Sequence, residues 1–387
     1  MVEARAYDGR AKALEVVRAL FARYYRSRPE IKVKDPERRE FGYFEFERQV
    51  MIRHLSFRSL EELLSHLSRS VPLHAYRSSA YFTYPSAPME EKGWEGADLV
   101  FDIDADHVDP PCGGQHVMKV CRGHGLLKGE TCELCNARPV EVDWVCERCI
   151  EGARAELVKL LEVLTTDLGI REDEIEVNFS GNRGFHVVVD SSEVRTLDQH
   201  ARREIVQYLT CEGITLALPR LTRSRGSRRV SRQPQPELDA WGWKGRIWRK
   251  LYVKLSQSSE GSGPESAISS LNASELRAML EKVTREEAVK IDPVVTSDVH
   301  RLVRLSNSLN GKTGLIAKRV PLERVEEFDP FEEAVGISGG PMKLMVYYAP
   351  EFRLLNEVYR EVNGPEVVTV PAHVAVFLIL KGLATSV

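Results

Sequence analysis

The sequence predicts an α/β fold of the α+β kind. Three observations carry this: an amphipathic helix at the start, a short apolar strand that ends in acidic residues, and two later strands joined by a tight glycine-bearing turn. In the opening helix Leu14, Val17, Phe21 and Tyr24 recur at helical spacing. Ser59-Leu60-Glu61-Glu62 has the pattern of a capping box and opens a second helix. Between the two, REFGYFEFE (39–47) alternates aromatic and polar residues and reads as a strand ending near Arg53. DLVFDID (98–104) reads as a buried strand whose last residues emerge at its end. After Cys149 comes a helix with Leu157, Leu160, Leu161, Leu164 and Leu168 on one face. IEVNF (175–179) and HVVVD (186–190) are strands flanking SGNRG, and helical signals resume over 198–210. Residues 219–270 turn basic and then Ser/Gly-rich, with SQSSEGSGPES (256–266) as the best candidate for a mobile loop. No internal repeat is visible.

A chain of 387 residues is long for one minimal domain, so one enzyme core carrying smaller inserted modules is expected. Formal charge is −3 and the pI about 6.4, so any nucleic-acid footprint must be local. The opening MVEARAYDGRAKALEVV lacks a signal-peptide layout, and the apolar run Ala372–Leu380 is too short to span a bilayer. A cytoplasmic protein with no membrane partner is expected. Six of the seven cysteines fall between Cys112 and Cys149, which favours metal over disulfide; Cys211 stands alone.

Three motifs carry chemistry. In Asp102-Ile103-Asp104, strand periodicity puts both carboxylates on one face and Ile103 on the other. Two carboxylates so placed repel unless a hard divalent cation such as Mg²⁺ or Mn²⁺ neutralises them. An acidic strand end merely solvated would look the same. Asp106 is expected to begin the following loop. The second motif, Ser180-Gly181-Asn182-Arg183-Gly184-Phe185-His186, offers tight backbone geometry, a hydroxyl, a guanidinium and an imidazole to an anion. An ordinary hairpin turn explains its glycines but not the coincidence of Ser180, Arg183 and His186. The third runs from Ile291-Asp292-Pro293 through Arg301-Leu302-Val303-Arg304 to Ser308-Leu309-Asn310-Gly311-Lys312. Asp292 could complete a carboxylate triad for two-metal chemistry, with Arg304 and Lys312 as cations for a triphosphate.

Together, in this order, VFDID, SGNRGFH and IDPVVTSDVHRLVRLSNSLNGKTG resemble the three signature blocks of the catalytic small subunit of archaeal and eukaryotic replicative DNA primases. Weaker likeness runs from REFGYF to VPAHVAVFLILKGLA, and the extended Cys/His segment suits the archaeal form. The resemblance implies a primase-type core of two mainly antiparallel sheets meeting at a cleft, with flanking helices, an inserted zinc module and a small helical insertion. The core would comprise 1–111, 145–199 and 276–387, the zinc module 112–149 and the helical, basic, loop-rich insertion 200–275. It implies a metal-dependent nucleotidyltransferase that makes short primers from nucleoside triphosphates on single-stranded DNA. A large subunit would complete a heterodimer within the replication machinery. A repair or translesion primase-polymerase of the same fold, and a zinc-bearing nucleic-acid adaptor without catalysis, are the alternatives.

Carried over residue by residue, the resemblance places catalytic, Mg²⁺- or Mn²⁺-binding aspartates at Asp102, Asp104 and Asp292. It places nucleotide contacts at Ser180, Arg183, His186, Arg304, Lys312 and, on a less distinctive flank, Arg53 in MIRH. Where relatives usually have a second phosphate-binding His, this chain has Asn310, a neutral and weaker contact.

Cys112-x3-His116, Cys121-x2-His124, Cys132-x2-Cys135 and Cys146-x2-Cys149 offer eight ligands, enough for two tetrahedral shells. Spacing leaves the pairing open, and buried thiols without metal are the alternative. The family's zinc knuckle favours Cys121, His124, Cys132 and Cys135 as one structural Zn²⁺ site, leaving Cys112, His116, Cys146 and Cys149 for a second. Finally, Arg220, Arg223, Arg225, Arg228, Arg229 and Arg232 precede Trp241, Trp243, Lys244, Arg246, Trp248, Arg249 and Lys250. Such a stretch suits a phosphate backbone with stacked bases, or else its tryptophans pack into a small helical unit.

Overall fold

The computed structural model describes residues 2–106, 108, 117–213, 238–258 and 263–387. Two four-stranded antiparallel sheets form its centre. The first has the order Leu302–Arg304, His74–Ser78, Phe41–Phe44, Met51–Leu55; the second, Arg319–Val320, Ile175–Phe179, Gly184–Val189, Leu99–Asp104. The expected single strand over 39–53 is a hairpin instead. Glu47-Arg48-Gln49 breaks the apolar alternation and Gln49 takes a left-handed conformation (φ 53°), which folds Met51–Leu55 back against Phe41–Phe44. A three-stranded sheet centred on Met342–Ala349 and backed by the Ala372–Leu380 helix adds a C-terminal layer.

The second sheet is two-faced, and this sets up the site. Leu99, Phe101 and Ile103 alternate with Val100, Asp102 and Asp104, and the antiparallel partner alternates in step, with Phe185 opposite Ile103 and His186 opposite Asp102. Leu99, Phe101, Ile103, Phe185, Val187 and Val189 are wholly buried in the main core. The Glu147–Thr166 helix covers that face with Leu157, Leu160, Val163 and Leu164, all likewise without exposure. On the other face Val100 and Val188 pack with Val295 and Val303 in a small separate cluster. Those four valines join the second sheet to the first and to the short Pro293–Ser297 helix, forming a dry floor beside the polar end of the aspartate strand.

Elsewhere local chemistry sets the elements as expected. The opening helix is Val2–Arg26, and Leu60–Ser70 starts at a Ser59 cap whose hydroxyl accepts from the Glu62 backbone N–H. Asp198 caps Gln199–Leu209 in the same way. Helices Gly242–Ser258, Pro264–Ser270 and Ala273–Glu287 complete the helical region. There Trp243 and Trp248 are buried in the core, Trp243 donating to the Tyr208 carbonyl at 2.6 Å, and Arg246 pairs with Glu162 and Asp167. Packing, not base stacking, therefore accounts for these three residues, while Trp241 stays exposed. Arg220 to Arg232, Cys112 and His116 lie outside the described residues, as do positions 259–262 of the expected mobile loop. No described helix is long and apolar enough to cross a membrane.

Candidate active site and metal centre

The sheets meet at a cavity of about 210 Å³ whose walls include Asp102, Asp104, Ser180, His186, Arg304, Asn310 and Lys312. Seven predicted site residues are thus brought together from all three motifs. Asp102 is half-buried, and its carboxyl is raised above the ordinary aspartate range by burial, with Asp104 and Asp292 adding repulsion against the opposing pull of His186 and Arg301. His186 Nε2 lies 3.3 Å from Asp102 Oδ1; burial holds the imidazole below its ordinary value, so it is neutral at pH 7. Asp292 caps the Pro293–Ser297 helix, accepting from the Val294 N–H at 2.8 Å, and its own N–H donates to the Asp102 carbonyl at 2.9 Å. The third carboxylate is thereby tied to the aspartate strand through the backbone.

Close packing explains the glycines of the turn. A Cβ on Gly184 would fall 1.9 Å from the Ile103 carbonyl oxygen, so only glycine lets this strand pair with the aspartate strand. Gly181 (φ +78°) runs against the Asn310 side chain, where a Cβ would sit 2.7 Å from the Asn310 Cβ. Ser180 Oγ accepts from the backbone N–H groups of Asn182 (3.3 Å) and Gly184 (3.2 Å), which holds the turn in shape. Arg183 is almost fully buried among acids: it pairs with Asp106 and Asp143 and lies 3.5 Å from Asp104. It lies behind the turn, beside Asp104.

Arg304 stacks over the Tyr76 ring at 4.6 Å and donates to His74 Nδ1, while its Nε is buried without a partner. His74 also accepts from the Gly311 N–H at 3.1 Å, and burial together with Arg304 and Lys312 pushes its pKa down to about 2. It is therefore a neutral acceptor that fixes Arg304 and the 310 loop. His74 and Tyr76 escape sequence reasoning because no signature block includes them, and only the polar–aromatic alternation of HAYR (74–77) hints at a lined face; Arg301 lies within the third motif, where the resemblance gives it no role.

Three residues sit differently from expectation: Arg183, expected to contact the nucleotide, does not line the cavity and is taken up by Asp106 and Asp143, and Arg53 and Asn310 depart as follows. Arg53 does not reach the cavity. It lies on the far edge strand of the first sheet and is held by the buried Glu40 carboxylate at 2.9 Å. Asn310 lines the wall, but its side chain is engaged at both ends: Nδ2 donates to the Ser180 carbonyl and Oδ1 accepts from the Lys312 N–H, each at 2.9 Å. It is placed as a strut between two loops and not as an open donor to phosphate. Asn310→Ala would leave buried polar groups unpaired and is expected to cost about 1–3 kcal/mol of stability, measured by chemical denaturation. An unchanged unfolding midpoint would refute the strut.

The metal centre is clearer. Cys121, His124, Cys132 and Cys135 offer ligand atoms all within 4.8 Å of one another. The separations are 3.6 Å between Cys121 and Cys135 sulfurs, 3.6 Å from Cys121 to His124 Nδ1 and 3.3 Å from Cys132 to that nitrogen. Tetrahedral Zn–S bonds of about 2.3 Å require sulfurs about 3.7 Å apart, so the cluster fits the ion. It hangs from a sheet of Val117–Cys121, Gly125–Leu127 and Val140–Asp143. Cys146 and Cys149 stand apart from it, at the start of the Glu147–Thr166 helix, where Cys149 is wholly buried.

With this geometry in view, comparison with known proteins decides the family. The profile of the DNA primase small subunit family matches residues 138–322. The chain is 34% identical over 378 residues to the DNA primase small subunit PriS of Nitrosopumilus maritimus, covering 96% of this chain and 98% of that one. The chain belongs to the DNA primase small subunit family. The corresponding protein of Cenarchaeum symbiosum is 33% identical over 97% of this chain and 99% of its own length, and that of Pyrobaculum calidifontis 34% over 95% and 97%. The primase likeness thus spans the aspartate strand, the turn, the 310 loop and the Cys/His module alike.

Proposed function

We propose that the cleft performs template-directed nucleotidyl transfer, joining nucleoside triphosphates into short primers on single-stranded DNA. The observation that carries the reading is the meeting of Asp102 and Asp104 with His186, Ser180, Arg304 and Lys312 around one cavity. Asp102, Asp104 and Asp292 would hold Mg²⁺ or Mn²⁺, whose hard-oxygen preference they meet and whose charge would relieve the repulsion felt by Asp102. When bound, such ions lower the pKa of an attacking hydroxyl and neutralise charge on the pyrophosphate leaving group.

The chain's own residues do the rest. The Arg304 guanidinium, with an unpartnered buried Nε, and the exposed Lys312 ammonium supply charge for the triphosphate. Ser180 and neutral His186 add hydrogen bonds from the opposite wall. Arg183 sets the potential behind them. The Cys121, His124, Cys132, Cys135 cluster would take Zn²⁺ as a closed structural site, and Cys112, His116, Cys146 and Cys149 would supply any second one. The reading divides the chain into a core of 1–111, 145–199 and 276–387, a zinc module at 112–149 and an insertion at 200–275. A large subunit would be its partner in a replicative complex inside the cell.

Two measurements test this. Nucleotide incorporation should release one pyrophosphate per residue added; release of orthophosphate instead would place the chain among hydrolases. Arg183→Ala should raise the KM for nucleoside triphosphate by about tenfold, about 1.4 kcal/mol, because it leaves Asp106 and Asp143 unneutralised behind the turn and lowers the positive potential there. An unchanged KM would remove the turn from the phosphate site.

A further inference from the structure

Three segments far apart in sequence converge behind the Ser180–Arg183 turn. Asp143 ends a strand of the sheet that carries the Cys/His cluster, Asn182 and Arg183 belong to the turn, and Lys381 follows the C-terminal helix Ala372–Leu380. Lys381 is only 8% exposed. Its Nζ donates to the Asp143 carbonyl oxygen at 2.8 Å and lies 3.4 Å from Asn182 Oδ1. The same Asp143 turns its carboxylate on Arg183. Asn182 is itself buried and lines the cavity.

A lysine this deep is uncommon, and here both oxygens it meets are neutral. Burial pushes its ammonium down to about 8; Arg183 and Lys312 push the same way and Asp143 opposes them. On its own helix the Phe377 ring lies 6.0 Å from Nζ. A buried charge held by neutral partners works against folding, and an apolar side chain of like volume would suit the fold as well or better. What the charge touches is the turn.

We propose that Lys381 is a positioning residue for nucleotide binding: it fixes Asn182 directly and, by holding Asp143, sets the direction of Arg183, while its charge adds to that of Lys312 at the triphosphate end. The inference rests on the reading of the turn as a phosphate-binding element. It also gives the C-terminal helix and the sheet that carries the Cys/His cluster a shared part in nucleotide binding, since both end on the same knot of side chains.

The test is Lys381→Met beside wild type and Arg183→Ala, in steady-state incorporation from pH 6.5 to 9.5 and in equilibrium nucleotide binding. Lys381→Met is expected to weaken nucleotide binding and raise KM by about fivefold or more at pH 7, with kcat within about twofold and a melting temperature equal to or above wild type. Wild-type kcat/KM should fall above about pH 8 relative to the variant, because deprotonation removes in one what substitution removed in the other. If Arg183→Ala raises KM while Lys381→Met matches wild type in KM, binding and pH profile, the assignment of Lys381 fails and the turn stands. If both variants match wild type, the reading of the turn fails. If the activity of Lys381→Met falls only in proportion to its folded fraction, Lys381 is structural and the proposal is overturned.

Discussion

Replacing Asp102 by alanine or asparagine should lower nucleotide incorporation by at least about 100-fold, some 2.7 kcal/mol of barrier, and leave the folded state no less stable. The two effects part company because of where the carboxylate sits. Its neighbours on the strand, Phe101 and Ile103, carry the packing of the main core, whereas Asp102 is on the opposite face and lines the cavity. Its folded pKa is raised above the unfolded value by burial, with Asp104 and Asp292 adding repulsion. The folded protein therefore binds this proton more tightly than the unfolded chain, so the stability Asp102 contributes is present at low pH and is lost as pH rises through the folded pKa. Asp102→Asn removes that loss, and its unfolding free energy should exceed wild type near neutrality and converge on it below about pH 4. Asp104→Ala should be similarly inactive; Arg183 keeps Asp106 and Asp143 as partners, so the turn survives. Incorporation assays paired with urea titrations at two pH values measure both halves. Near wild-type incorporation in either metal, or a large loss of stability in Asp102→Asn, would disprove the assignment.

Stripping zinc from the Cys121, His124, Cys132, Cys135 cluster is expected to be the larger structural perturbation. Its sheet has strands of five, three and four residues, too short to hold themselves together, whereas a structural zinc contributes about 10–16 kcal/mol of apparent binding energy at neutral pH. Cys132→Ser/Cys135→Ser should lose one tightly held zinc per chain and open residues 117–143 to protease. Incorporation should fall as well. Val117 pairs with Asp143 across the sheet, and Asp143 is the partner that holds Arg183 and Lys381. Elemental analysis of protein purified without chelator is the check: full zinc content in the double variant would contradict this ligand set, while a single remaining equivalent would point to Cys112, His116, Cys146 and Cys149. Cys211, which follows the Gln199–Leu209 helix and is not part of the cluster, should not affect either count.

Much of this is legible in the sequence. Strand periodicity alone put Asp102 and Asp104 on one face, and the paired register with His186 then follows from the Gly184 contact. The short Cys/His spacings mark a metal-binding module but leave its pairing open; the family resemblance, not the spacing, favours Cys121, His124, Cys132 and Cys135, which the fold brings together. What remained hidden depended on long-range placement. His74 and Lys381 lie more than 200 residues from Gly311 and at least 199 from Asn182, their respective partners, so no local pattern could report them. Arg53 resembles a nucleotide contact in sequence, but Glu40, buried beside it, claims its guanidinium. Asn310 reads as a weakened phosphate ligand until its two amide partners are seen. The tryptophan-rich stretch was balanced between base stacking and packing, and helix Gly242–Ser258 turns Trp243 and Trp248 inward while leaving Trp241 exposed.

The central claim is that this chain begins primers as well as extending them, using Asp102, Asp104 and Asp292. The direct measurement supplies purified chain with unprimed single-stranded DNA, labelled nucleoside triphosphates and Mg²⁺ or Mn²⁺, and resolves the products by length beside an Asp102→Ala control. The account predicts short labelled oligomers made by wild type and none by the control. Extension of a supplied primer with no product on unprimed template would favour a repair or translesion polymerase, and binding of DNA with no incorporation in either metal would contradict the account outright.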